Sequence, residues 1–200
     1  MKKPTQSLPA LVLLAGMGLA STAQAALIQR LGGLAVYDTD FNITWLANAN
    51  ANGPMNWADA NAWAAALDVG GYTGWRLPTA DPTCGVNYNC INSELGHLYY
   101  TELGVAQNNN ITSSTSPYLA LFTNVQNSVY WSGTEYAPNP STAWGFRTRY
   151  GNQLNYNKYS NNYGWAVRSG DVAAVPEPGV MGLMGIGALA WAGTRARRRG

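Results

Sequence analysis

The residues of this chain best suited to hold another molecule lie between Arg147 and Tyr163, where arginines give way to a run of tyrosines and asparagines that ends before Trp165. Tyrosine offers a flat amphipathic ring at small entropic cost, and asparagine offers donor and acceptor in one short side chain. The mixture can stack on sugar rings or grip a protein. Arg147, Arg149, Tyr150, Asn155, Tyr156, Asn157, Tyr159, Asn161 and Tyr163 are the candidate ligand contacts. A polar β-hairpin with cross-strand tyrosines would have the same composition, and the sequence leaves that alternative open.

Reactive chemistry has far less to work with. The chain has no Gly-x-Ser-x-Gly elbow, His-Glu-x-x-His pair, P-loop or dinucleotide-binding glycine run. Its single histidine, His97, removes most triad schemes. His97 falls off the apolar stripe of an expected helix and so is expected to face solvent. Glu94 and Glu102 on the same helix are expected to be solvated rather than paired as acid and base. Cys84 and Cys90, the only cysteines, form an even, closely spaced pair that reads as a loop-stapling disulfide in an exported protein. Zinc at that pair would need more ligands than nearby His97 supplies. No catalytic residue, metal or cofactor is expected, and the chain reads as a binding protein rather than an enzyme.

The charge distribution points the same way. The overall balance is +2, but between Ala26 and Ala174 nine carboxylates outnumber six basic residues. The positive excess belongs to the two ends, so the central domain lacks the basic footprint of a nucleic-acid binder. Seven of the eight tryptophans also fall in this region, enough for one domain with an aromatic core.

The elements that must position these groups read as follows. Leu34 to Asp38 and Ile43 to Leu46 suggest a short hairpin. From Asn56 the period becomes helical, with Trp57, Ala60, Ala64 and Leu67 on one face, Asn56 as cap with Asp59 three residues on, and Gly70-Gly71 as terminator. A second helix is expected from Ser93 to Leu103, carrying Leu95, Leu98, Tyr99 and Leu103 inward and closed by Gly104. The last third reads as β. Val129 to Gly133 forms one strand. Ala143 to Tyr150 forms another, with Trp144, Phe146, Thr148 and Tyr150 on one face and Arg147 and Arg149 on the other. Gln153 to Lys158 returns, and Gly164 to Arg168 closes the domain. The expected class is α+β, with two helices and an antiparallel sheet.

Both ends read as sorting signals. Lys2 and Lys3, the apolar run Leu8 to Ala20 and the small residues Ala23 and Ala25 make residues 1–25 a signal peptide for signal peptidase, with an apolar run too short for a ~20-residue permanent span. At the other end, Pro176-Glu177-Pro178, an apolar glycine-rich stretch to Gly193, and Arg195, Arg197, Arg198 and Arg199 resemble the PEP-CTERM sorting signal. That resemblance implies transient inner-membrane association of residues 175–200, processing by an exosortase near Pro176, Glu177 and Pro178, and release to the cell surface or an extracellular matrix. The arginines would stay on the cytoplasmic side.

Within residues 26–174, four motifs in order resemble the DUF1566 family, also called the Lcl C-terminal domain: Trp57-Ala58-Asp59-Ala60, Gly74-Trp75-Arg76-Leu77-Pro78-Thr79, Tyr130-Trp131-Ser132-Gly133-Thr134 and Trp165-Ala166-Val167-Arg168. The resemblance implies a C-type-lectin-like fold, shared with formylglycine-generating enzymes. Against that family's pattern, Ala80 to Asn92 with the cysteine pair is an insertion. Cysteines placed early in a loop do not suit formylglycine-type oxidation, and Ala137-Pro138-Asn139 only partly echoes a calcium-dependent sugar motif. The reading is therefore an adhesin-like surface or matrix protein that recognises a glycan, an exopolysaccharide or a surface protein. A structural matrix protein without a specific ligand is the alternative, followed by an enzyme.

Overall fold

The computed structural model describes residues 26–172. The expected signal peptide with Ala23 and Ala25, and the sorting segment with Pro176, Glu177 and Pro178, lie outside the described residues.

The hairpin expected near the start is present as β2 (Ala35–Asp38) and β3 (Ile43–Leu46), preceded by an unexpected strand β1 (Leu27–Arg30). These three strands pair antiparallel, and the last strand of the domain, β10 (Val167–Ser169), adds beside β3 to give the order β1-β2-β3-β10. Arg30 on β1 then forms a two-bonded ion pair with Asp171, just past β10.

A second sheet has the order β4-β9-β6-β7-β8-β5. Its centre is β6 (Val129–Glu135), β7 (Thr142–Arg147) and β8 (Asn152–Asn157), joined antiparallel. Two-residue strands finish it: β4 (Pro54–Met55), β5 (Asn87–Tyr88) and β9 (Asn162–Tyr163), the last lying parallel to β6. The architecture is α+β with one antiparallel and one mixed sheet.

Helix α1 (Trp57–Ala65) begins where the cap was expected: the Asn56 side chain accepts the Asp59 backbone N–H at 3.0 Å and donates back to the Asp59 carboxylate at 2.7 Å. The second helix is not uniform. After α2 (Glu94–His97), capped by Ser93, the chain widens into a π-helical turn over Leu98–Glu102, with the Leu103 N–H donating to the Leu98 carbonyl.

Apolar packing falls into two cores because successive residues of a strand point to opposite sides. Val36, Trp45, Tyr130, Trp165 and Val167 enter one core with Leu98, Tyr99 and Phe146. Their chain neighbours Ala35, Leu46, Trp131 and Ala166 enter the other with Ala60, Ala64, Trp75 and Leu77. Most of the tryptophans are thus structural. One tight approach is testable: a Cβ on Gly96 would stand 2.0 Å from the Cys90 carbonyl oxygen. Gly96→Ala is expected to lower unfolding free energy by about 2 kcal/mol, read by urea titration of tryptophan fluorescence.

Two sequence expectations about the second helix are corrected. His97 does not face solvent, and Glu94 and Glu102 are not solvated; all three are buried. The element is covered on both flanks. Arg76 and Thr79 cap Glu94, while the β2–β3 turn, with Phe41 against the His97 ring, covers the opposite side. The strand through Arg147 is also shorter than expected, ending before Thr148, so Tyr150 sits in a turn rather than on the Trp144 and Phe146 face. Gly164 to Arg168 is likewise only partly strand, with Val167 the first residue to enter β10.

Candidate functional site

The nine candidate contacts do not form one face. The β7–β8 register pairs Thr142 with Asn157 at one end and Arg147 with Asn152 at the other. Five residue steps separate those ends, about 17 Å of strand. Tyr156 stands opposite Ala143, near the Thr142 end, and its ring reaches along the sheet across Gly145, stands edge-on to Trp131 and accepts a hydrogen bond from Arg147 Nε at 3.2 Å. Burial pushes the Tyr156 hydroxyl pKa above its ordinary value, and the Arg147 charge and hydrogen bond pull it part of the way back. Tyr156 therefore belongs mainly to the fold.

Arg147 and Arg149 both stand over the Tyr150 ring, 5.6 and 5.5 Å from its centroid. With Asn127, Ser128 and Val129 these three line a shallow hollow of about 280 Å³. Tyr163 is taken by the core, where it packs on Tyr130 and pairs with Pro54. Asn155 is half-buried opposite Trp144, and Asn161 is exposed beyond the hairpin.

Tyr159 stands apart from the rest. It is 87% exposed on a turn that Asn157 builds by accepting the Tyr159 backbone N–H at 2.9 Å. Asn157 is thus a turn-former that presents the ring. Beside it opens a hollow of about 420 Å³ lined by Asn56, Trp57, Asp59, Ser141, Lys158 and Tyr159, with Ala58 and Pro140. This lies within the size range of small-ligand sites.

Each wall of that cleft is held by the backbone. The Trp57 N–H donates to the Lys158 carbonyl at 3.0 Å, and the Lys158 N–H donates to the Ser141 carbonyl at 3.0 Å, so the start of α1, the β6–β7 loop and the end of β8 are stitched together. The Trp57 indole N–H donates to the Ser132 carbonyl at 2.8 Å, which fixes the ring's orientation. Lys158 Nζ lies 4.4 Å above the Trp57 ring and also pairs with Glu135. Asn56, Trp57, Asp59 and Ser141 were not among the sequence candidates. They come from two segments far from Tyr159 in the chain, and only the helix cap and the aromatic residue marked the first of them.

The expected disulfide is formed: Cys84 and Cys90 are bonded, with Cα atoms 5.6 Å apart. The loop they close supplies β5, which pairs with β8 and so extends the sheet at its edge. Gln153 on β8 fixes the loop further by donating to the carbonyls of Asp81 and Gly85 at 2.8 and 3.1 Å. The inserted segment is therefore an integral part of the sheet.

Residues 34–168 match the model of the Lcl C-terminal domain. The chain belongs to the Lcl C-terminal domain family. A PEP-CTERM protein-sorting motif matches residues 174–199, directly after the domain. This Lcl C-terminal domain is thus part of an exported protein handled at the membrane by an exosortase. No curated protein matches the chain. In this member the Trp75-Arg76-Leu77-Pro78-Thr79 segment secures the second helix. Arg76 grips Glu94 with two hydrogen bonds of 2.8 and 2.7 Å, and the Thr79 N–H donates to the same carboxylate at 2.7 Å. The hydrogen bond to Glu94 raises the already high Arg76 pKa further. This contact locks the entry of the helix against the sheet.

Proposed function

We propose that this is a non-catalytic, cell-surface or matrix adhesin whose C-type-lectin-like domain binds a polysaccharide chain in the Trp57–Tyr159 cleft. The observation that carries the reading is Tyr159 itself, a ring left almost wholly in water at the mouth of a hollow backed by a fixed tryptophan. An aromatic ring can stack on the C–H face of a sugar, while Asn56, Asp59, Ser141 and Lys158 offer polar groups to its hydroxyls. The sorting motif favours a site of action outside the cell, where polysaccharide is abundant. The pairing of the first strands with the last supports the lectin-like scaffold, since it brings both ends of the domain to one sheet.

The Arg147–Arg149–Tyr150 hollow favours a second subsite, for acidic substituents on the same polymer. A glycan array and a pull-down with native exopolysaccharide test the proposal. Tyr159→Ala is expected to weaken binding about tenfold, near 1.4 kcal/mol, and to change stability by less than about 0.5 kcal/mol because the ring packs on little. Undiminished binding by this variant would exclude the cleft as the binding site.

A further inference from the structure

We propose that Asp38, His97 and Glu102 form a site for one divalent transition-metal cation, with zinc the best fit, that staples the β2–β3 turn to the second helix. This departs from the expectation that the chain holds no metal.

The three side chains are buried, and one ligand atom from each lies within 4.8 Å of the others. The arrangement depends on the π-helical turn. In a regular α-helix, residues five apart are rotated about 140° from one another, so Glu102 would point away from His97. The wider turn over Leu98–Glu102 instead brings Glu102 Oε1 to 3.3 Å from His97 Nε2. Such local widening of a helix is frequent at functional sites.

Asp38 supplies the observation that points to a ligand. Its Oδ1 accepts the Asp40 and Phe41 N–H groups at 3.0 and 3.1 Å. Its Oδ2, on a side chain with no solvent exposure, has no hydrogen-bond partner among the described residues. A buried carboxylate oxygen left unpaired is costly, and a coordinated cation would satisfy it.

The donor set selects the cation. Two carboxylates and a neutral imidazole carry two negative charges, which a divalent ion balances. An imidazole nitrogen disfavours calcium and magnesium, which take oxygen ligands, and suits zinc. Bonds of about 2.0–2.2 Å in a tetrahedron put ligand atoms about 3.3–3.6 Å apart. The His97–Glu102 separation of 3.3 Å meets this, and so does the 3.6 Å from His97 Nε2 to Asp40 Oδ2. Asp40 is 35% exposed and marks the side from which an ion would enter, as a fourth ligand or through a water. The cysteines take no part, being joined to each other.

The test is equilibrium dialysis of the processed, exported protein, stripped with chelator and then offered zinc alone, with calcium and magnesium as competitors. The expected result is one zinc per chain, undisturbed by a large excess of either competitor. His97→Gln and Glu102→Gln should each weaken uptake by about 100-fold or more. Asp38→Asn keeps the Oδ1 acceptor that builds the turn and should also lose zinc. Should any variant fold poorly, the wild-type protein still decides the matter: its melting temperature should rise with zinc and fall back with chelator. Less than about a tenth of an equivalent of zinc on the wild-type protein, or uptake that survives His97→Gln, would overturn the proposal and leave the cluster as a hydrogen-bonded histidine and carboxylates.

Discussion

Trp165→Ala is expected to lower the unfolding free energy by about 4 kcal/mol, at the upper end of what a single core truncation costs. Trp165 is fully buried and meets Trp45, Phe122 and Tyr130 with ring centroids 5.1–5.3 Å apart. Truncation would open a cavity at the point where the two sheets share a core. It would also remove the indole N–H that donates to the Leu46 carbonyl at 2.8 Å, leaving a buried acceptor with one bond fewer. Since a domain of this size has only about 5–15 kcal/mol in total, the variant should be exported poorly. Trp165→Phe keeps much of the ring and should cost roughly half as much. Urea denaturation followed by circular dichroism gives both values, and a loss below about 1 kcal/mol for the alanine variant would contradict the core described above.

Glu94→Ala should cost about 3 kcal/mol. Breaking a buried pair leaves an unmatched charge, an effect of about 3–5 kcal/mol, and the lower end applies because the Arg76 side chain is 36% exposed and can rehydrate. The Thr79 N–H loses its acceptor at the same time. Glu94→Gln retains the shape and one acceptor, so it should fall between wild type and alanine. Adding Arg76→Met to Glu94→Ala should recover part of the loss by removing the stranded charge. If the double variant were no more stable than Glu94→Ala alone, the stranded charge would not be the source of the loss, and the Arg76 hydrogen bond to the Leu77 carbonyl at 3.0 Å would be enough to hold the guanidinium.

Much of the fold was legible because its signals are local. Asn56 capping α1, the strand through Tyr130 and Trp131, and the Cys84–Cys90 pair all follow from neighbours in sequence. Strands β4, β5 and β9 have two residues each, too few to show any period, and they form because a partner edge is at hand. Glu102 was misread because a 3.6-residue period does not hold across a segment that widens to a π-turn, and His97, which precedes that segment, because the β2–β3 turn with Phe41 covers the helix face it occupies. Glu94 was misread because its partner is eighteen residues away, in a loop.

The segment from Arg147 to Tyr163 shows the same division. Tyr159 lies on an exposed turn, but Tyr163 is claimed by the core and Tyr156 by Gly145 and Trp131. Composition marked the region without separating rings that face water from rings that fill the sheet. The cleft needs Trp57 and Asp59 beside Lys158 and Tyr159, a meeting of residues about a hundred positions apart that no linear pattern encodes.

The most direct measurement of polysaccharide binding in the cleft is an amide and indole N–H chemical-shift titration of the processed protein with oligosaccharides released from the native exopolysaccharide. Binding there predicts saturable shifts at the Trp57 indole N–H and at the amides of Asp59, Ser141 and Tyr159, while those near Trp45 and Phe146 in the core stay fixed. Shifts confined to Arg147, Arg149 and Tyr150, or no shifts at any residue, would contradict it.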